Sequence, residues 1–155
     1  MAKYISSVSI KEDKDLNNIA ILIAFTSTFL FKALGSKNHY LGKSTLIMIG
    51  LVAGLIIAAV DNFAFGGEVS PIVIVLLLII VTVTSGIKLG WRAWILAFPL
   101  WICIPLAHLI KHILGLPDTL HPNTYASILM LAAFTFVVST VGLLGGVLMR
   151  KLIKI

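Results

Sequence analysis

The sequence predicts an all-α integral membrane protein, a compact bundle of five transmembrane helices in a single domain over residues 1–155. Hydrophobic residues make up 59% of the chain and charged residues 12%, against about 25% charged in an average soluble domain. The apolar residues also form stretches of about 20, the helix length that crosses a hydrocarbon core roughly 30 Å thick. These stretches are Leu16–Leu34, Thr45–Phe65, Ser70–Ile87, Ala93–Leu114 and Tyr125–Met149.

The first stretch is the weakest of the predicted spans. Its apolar run is short and carries Lys32 close to its end, although a lysine there can extend to the membrane interface. Ser9 and Glu12 resemble a capping box, which would begin this helix outside the membrane. The alternative is therefore four spans, with residues 10–34 on the membrane surface or partly inserted.

Local signals support the later helix starts. Ser70 followed by Pro71 is typical of an N-cap residue and the first helical position. Pro122, Asn123 and Thr124 precede the last stretch in a similar manner. We therefore expect helices to begin close to Pro71 and Tyr125.

The distribution of basic residues predicts the orientation. If the loop at 35–44 is cytoplasmic, eight basic residues lie inside: Lys32, Lys37, Lys43, Lys88, Arg92, Arg150, Lys151 and Lys154. Four lie outside: Lys3, Lys11, Lys14 and Lys111. The positive-inside rule then predicts an outer N-terminus and a cytoplasmic C-terminus, in a prokaryotic plasma membrane. Because topology accounts for the formal charge of +6, we expect membrane lipids and membrane subunits as partners, and no nucleic acid.

Small residues predict where the helices pack. Gly50 and Gly54 form one GxxxG pair, and Gly142 and Gly146 form another. Four-residue spacing places each pair on one helix face, where a neighbouring backbone can approach closely. That neighbour is a helix of the same chain or of another subunit. Gly86 and Gly90 have the same spacing, but they straddle a predicted helix end, so a turn or C-cap is expected there.

Two prolines lie inside the fourth stretch. Pro99 and Pro105 each lack a backbone donor and crowd the carbonyl one turn earlier. We therefore predict a kinked helix. Kinked helices line substrate paths in transporters and also occur in static bundles.

The predicted topology gathers polar residues at the outer face: Asp61, Glu68, His108, Lys111, His112, Asp118 and His121. His108 and His112 lie one turn apart, a spacing that lets two imidazoles reach one transition metal, with Asp61 or Glu68 supplying a carboxylate. Histidine also titrates near neutral pH, which makes a proton site an alternative. Lys111 and His121 are candidates for binding anionic headgroups. The simplest interpretation is that all these groups contact water at a helix end.

Function is the least determined property. The sequence contains no phosphate-binding loop, nucleophile elbow or HExxH motif, and no cofactor is strongly implied. We expect a non-catalytic protein that acts by association, as an accessory subunit of a membrane complex or as a homo-oligomer. One alternative is a transporter or channel for a small solute or ion. The other is a membrane enzyme that uses an outer-face histidine and carboxylate metal site.

Overall fold

A computed structural model describes residues 42–63, 71–118, 120 and 122–153, together with the separate positions Ile21, Ala24, Thr28 and Lys32. The described ranges contain helices, turns and no strand. The first predicted span falls almost entirely outside these residues. The choice between five and four spans therefore stays a prediction.

Four α-helices form the described ranges from residue 42 onward. They are α1 at Lys43–Phe63, α2 at Pro71–Leu89, α3 at Trp94–Leu114 and α4 at Tyr125–Ile153. The bounds of α1, α2 and α3 agree with the predicted spans within two residues, whereas α4 continues four residues beyond Met149. Helix α2 begins at Pro71, and Thr124 caps α4: its hydroxyl accepts the backbone N–H of Ser127 at 3.2 Å, while Ser127 Oγ accepts that of Thr124 at 3.0 Å.

Among the described residues, three helical segments are long and apolar enough to cross a membrane: Lys43–Asn62, Pro71–Leu114 and Tyr125–Ile153. The second contains 44 residues, about twice the length that one crossing needs. It consists of α2 and α3, joined by a 3₁₀ turn at Gly90–Ala93. Gly90 has a φ of 60°, a left-handed conformation that glycine adopts without steric strain.

The contacts of α4 show that the chain reverses direction at this turn. Near its start, α2 lines a cavity together with Leu131 of α4, and near its end Gly86 meets Leu143. Helix α2 is therefore parallel to α4. In α3 the order is opposite, because Ala97 packs with Leu143 whereas His112 contacts Tyr125.

Helix α1 runs parallel to α3, so the four helices alternate in direction. Gly50 lies against Leu96, and Asp61 reaches His108. One end of the bundle, called here the polar end, contains Asp61, His108, Lys111, His112 and Asp118. The opposite end, called here the basic end, contains Lys43, Lys88, Arg92, Arg150 and Lys151.

The predicted glycine pairs pack within the chain. A Cβ on Gly50 would meet the Leu96 carbonyl, and one on Gly54 would lie 2.8 Å from the Leu100 carbonyl oxygen. In the same way, a Cβ on Gly142 would meet the Thr82 side chain, and one on Gly146 would meet the Val83 carbonyl. These glycines let α1 approach α3, and α4 approach α2, at backbone distance.

The turn or C-cap expected around Gly86 and Gly90 is found at Gly90, whereas Gly86 lies within α2. A Cβ on Gly86 would lie 2.6 Å from the Leu143 carbonyl oxygen of α4. Helix α3 continues through Pro99 and Pro105. The Pro99 ring fills the space beside Gly50, and the kink stays a prediction.

Candidate functional site

A histidine at the polar end lies between two aspartates. His108 Nε2 is 2.7 Å from Asp61 Oδ2, and His108 Nδ1 is 2.7 Å from Asp118 Oδ1. The exposed fractions of the side chains are 3% for His108, 1% for Asp118 and 18% for Asp61. The simplest interpretation of the sequence, contact with water at a helix end, does not hold for these two residues. The side chains of His108 and Asp118 are buried and hydrogen-bonded.

Three segments supply these side chains. Asp61 lies in the last turn of α1, and the packing of Gly50 and Gly54 against α3 holds that turn beside His108. His108 lies on the inner face of α3 with Ile104 and Leu100. Asp118 comes from the loop after α3, ten residues beyond the histidine.

A glycine turn brings Asp118 back to its helix. Gly115 has a φ of 63°, its N–H donates to the His112 carbonyl at 3.3 Å, and the N–H of Leu116 donates to the Lys111 carbonyl at 3.0 Å. This pair of bonds is a Schellman motif, which ends a helix and reverses the chain. The reversal returns Asp118 to the level of His108.

A lysine contributes to the same group. Lys111 Nζ lies 3.9 Å from Asp118 Oδ1, within the range of an ion pair but longer than a good hydrogen bond. Lys111 was a candidate for binding anionic headgroups. The structure instead directs it toward a carboxylate of its own chain.

The hydrogen-bond chemistry of the cluster constrains its protons. An ionised carboxylate only accepts hydrogen bonds, whereas a neutral imidazole has one N–H donor and one acceptor nitrogen. Two ionised aspartates on the two ring nitrogens therefore require the imidazolium form of His108. If the ring is neutral, one aspartate either carries a proton or loses its hydrogen bond.

The cluster forms one wall of a cavity between the four helices. The volume is about 150 Å³, and the lining combines Asp61 and His108 with apolar side chains that include Ile74, Leu78, Ile104 and Phe134. An engineered apolar cavity of this size holds a benzene molecule. A small molecule in this cavity would therefore contact both a carboxylate and hydrocarbon.

The second histidine of the predicted pair has a different environment. The His112 ring packs edge-on against Tyr125, with ring centroids 4.4 Å apart. His108 uses both nitrogens on aspartates. In the described ranges, no group of three or more His, Cys, Asp or Glu side chains has a geometry that could hold a metal ion.

Two predicted site residues, Glu68 and His121, lie outside the described residues. The metal and headgroup hypotheses that involve them stay predictions. The residue whose role sequence reasoning missed is Asp118, which was counted among the polar residues without being assigned to a site. The signal was present: Gly115 and Pro117 follow the apolar stretch, as expected for a helix end that turns sharply.

Comparisons with protein-family models, with curated proteins and with solved structures find no match for this chain.

Proposed function

We propose that this chain is a membrane transporter that exchanges protons for a small organic cation. The observation that supports the proposal is the Asp61–His108–Asp118 cluster, which joins two helices and a loop beside a cavity in the bundle. Ionisable groups inside a membrane bundle are costly to bury and mark proton relays and ion paths. This was the first alternative to the association function favoured by sequence alone.

The charges of the cluster suggest the exchange step. Two ionised carboxylates and one imidazolium carry charges of −2 and +1, and the Lys111 ammonium beside Asp118 brings the net charge of the group to zero. When His108 releases one proton, its neutral ring has a single donor left and can bond only one aspartate. Asp118, which is the more buried carboxylate, keeps that bond. Asp61, on the cavity wall, then binds one monovalent cation for each proton released.

The cavity lining favours an organic cation. Its walls are mostly hydrocarbon, and the Phe134 ring is among them. An aromatic ring attracts ammonium groups through its negative face, and apolar walls suit a carbon body. We therefore propose a small amine as the transported class.

The remaining parts of the proposal concern the membrane. The chain crosses a prokaryotic plasma membrane five times, with residues 16–34 as the first span. The N-terminus and the polar end are outside, and the basic end is cytoplasmic, in agreement with the positive-inside rule. Protons and cations would then enter the cluster from the outer side.

Association as a subunit or homo-oligomer remains a second proposal. From the sequence it was supported in part by the two GxxxG motifs, and those glycines are covered by helices of the same chain. The surface that can serve association is instead the exposed apolar face of α4, which includes Met130, Val137 and Val141. Lipid tails cover such a face equally well.

Transport is tested in proteoliposomes that contain a trapped pH-sensitive dye. A pH gradient is imposed, and a panel of small primary and quaternary amines is added outside. We expect at least one amine to collapse the gradient faster with the wild-type protein than with His108→Gln or Asp61→Asn. Protein-free liposomes and the His112→Gln variant are the controls. Equal rates for wild type and His108→Gln across the whole panel would contradict the proposal.

The proton inventory of the cluster is tested independently. The measurement is ¹⁵N NMR of the histidine-labelled protein in lipid bilayers. At neutral pH and without amine, both His108 ring nitrogens should have the chemical shifts of protonated nitrogens. Addition of the transported amine should convert one of them to an unprotonated nitrogen. A neutral His108 ring before any amine is added would contradict the exchange step.

Orientation is tested by cysteine labelling in intact cells, after the single native cysteine, Cys103, is replaced with serine. Leu116→Cys at the polar end should react with an impermeant thiol reagent, and Trp91→Cys at the basic end should not. Both native side chains are at least half exposed, so accessibility reports the side of the membrane. The reverse pattern would overturn the orientation.

A further inference from the structure

The cavity beside the histidine cluster has a polar group that the exchange step does not use. Among the described residues that line the cavity, the polar side chains are Asp61 of α1, His108 of α3 and Thr135 of α4. Thr135 is 1% exposed, so its hydroxyl is removed from bulk solvent. A molecule inside the cavity therefore meets a hydroxyl group as well as a carboxylate.

Asp61 and Thr135 lie at opposite ends of this cavity. The contact between His112 and Tyr125 places these two residues at one level of the antiparallel helices α3 and α4. His108, one turn earlier on α3, is then level with about position 129 of α4, and Thr135 lies about 9 Å further from the polar end, at a rise of about 1.5 Å per residue. Because Asp61 bonds His108 directly, the carboxylate marks the upper end of the cavity and the hydroxyl marks the lower end.

The Thr135 hydroxyl is arranged to accept a hydrogen bond. Its single hydrogen is shared between the carbonyl oxygens of Leu131, at 2.9 Å, and Ala132, at 3.1 Å, in its own helix. A hydroxyl has one donor hydrogen and two acceptor lone pairs. A ligand can therefore satisfy Thr135 with an O–H or N–H group, whereas an ether oxygen or a carboxylate cannot.

The walls between the two ends favour a hydroxyl as this second group of the ligand. They consist of apolar side chains such as Ile74, Leu78 and Ile104, and Asp61 is the carboxylate among the described lining residues. A second ammonium group beside Thr135 would be a buried charge without a counterion, which is costly. The volume of about 150 Å³ suits a ligand with about as many non-hydrogen atoms as benzene.

We propose that the cavity binds a small amino alcohol, with its ammonium group on Asp61 and its hydroxyl donating a hydrogen bond to Thr135 Oγ1. The inference rests on the proposed function, because it uses Asp61 as the cation site, and it narrows the transported amine to one chemical class. Thr135 is then the residue that distinguishes an amine ending in a hydroxyl from an amine ending in a methyl group.

The test measures equilibrium binding to the full-length protein in lipid nanodiscs by isothermal titration calorimetry. The two probes are aminobutanol, with its amino and hydroxyl groups at opposite ends of the chain, and pentylamine, in which a methyl group replaces the hydroxyl. We expect the wild type to bind aminobutanol more tightly. Thr135→Val keeps the shape of the side chain and removes the acceptor. The ratio of aminobutanol affinity to pentylamine affinity should fall about tenfold, because the buried ligand hydroxyl loses its hydrogen bond.

Three further variants separate the roles of the residues. Thr135→Ser keeps the acceptor and should retain the wild-type ratio. Thr82→Val is the matched control: Thr82 is also fully buried and donates to a carbonyl of its own helix, the Leu78 carbonyl at 2.7 Å, but it lies outside the cavity. Its ratio should not change. Asp61→Asn removes the charge that binds the ammonium group, so it should weaken both probes by the same factor and leave the ratio unchanged.

The outcomes distinguish this inference from the proposed function. If both amines bind through Asp61 but Thr135→Val keeps the wild-type ratio, the amino alcohol and the role of Thr135 are overturned, whereas the amine site stands. An equal fall of the ratio in Thr82→Val would also overturn the role of Thr135, because the effect would then come from helix packing. Failure of the wild type to bind either amine would overturn the cation site, and with it both proposals.

Discussion

The two halves of the bundle are held together by different forces. Toward the basic end, glycines bring backbones into contact: Gly50 meets the Leu96 carbonyl, and Gly146 meets the Val83 carbonyl. At the polar end, α1, α3 and the following loop are joined by charged hydrogen bonds through His108. The glycine contacts involve no ionisable group, whereas the charged contacts depend on the presence of protons. We therefore expect a conformational response to protons in the polar half, while the glycine contacts of the basic half stay in place.

The largest effect is expected for His108→Ala. The change removes the cation between Asp61 and Asp118. Removing one partner of a buried ion pair lowers the free energy of unfolding by about 3–5 kcal/mol, because the other charge is left uncompensated. The free energy of unfolding, measured in bicelles with a chemical denaturant, should fall by that amount. His112→Ala, one turn along the same helix, is the control and should cost less than about 1 kcal/mol, because only an edge contact with Tyr125 is lost. Equal losses for the two histidines would remove the distinction that the structure draws between them.

The two aspartates should differ as their exposure does. Asp118→Ala removes a hydrogen bond to a charged group from a side chain that is 1% exposed, which costs about 1.5–3 kcal/mol. Asp61→Ala should cost less, because its side chain is 18% exposed and water screens its interaction with His108. The same unfolding measurement ranks the two variants. A larger loss for Asp61→Ala would show that the loop carboxylate is not the buried anchor of the cluster.

In the glycine-packed half, two adjacent glycines of α4 provide a matched pair. A Cβ on Gly146 meets the Val83 carbonyl, whereas a Cβ on Gly145 has no neighbour within 4 Å among the described residues outside its own helix. Gly146→Ala should therefore cost about 1–3 kcal/mol by overpacking. Gly145→Ala should be neutral or stabilising by up to about 1 kcal/mol, because alanine is the better helix former. Opposite signs for the two variants are the expected result, and a loss at Gly145 alone would contradict the packing of α4 on α2.

The smallest expected effects concern the turns that close each half. Gly115 and Gly90 both have left-handed backbones, and an alanine there costs about 1–2 kcal/mol. In the described part of the chain, no atom lies within 4 Å of a Cβ on Gly115, whereas Arg150 Nη1 would lie 2.8 Å from a Cβ on Gly90. Gly90→Ala should therefore destabilise the protein more than Gly115→Ala in a thermal unfolding assay. The reverse order would indicate that the Arg150 side chain moves aside freely.

The positions of the described helices could be predicted from the sequence, whereas the faces by which they pack could not, and the difference has a physical reason. Four predicted spans match the described helices because the length of an apolar stretch is a direct consequence of membrane thickness. The faces of those helices were harder to predict. A soluble helix shows its buried face by amphipathic alternation, but a membrane helix is apolar on all sides. Whether Gly50 and Gly146 faced their own chain or another subunit could therefore not be read from their spacing.

The sequence by itself determined the helical class and, to within four residues, the helix boundaries after residue 42. It also determined that Asp61, His108 and Asp118 lie at the opposite end of the bundle from Lys43, Lys88, Arg92, Arg150 and Lys151. These properties follow from local composition and from the alternation of spans. Only the tertiary structure decided that His108 takes an aspartate on each nitrogen while His112 contacts Tyr125, and that Arg150 lies over Gly90. These contacts join residues far apart in the chain: Asp61 and His108 are separated by 47 positions, and Arg150 and Lys88, whose carbonyl it binds, by 62. They depend on the rotation of each helix about its axis, which is set by the packing of neighbouring helices and is not encoded in any one stretch.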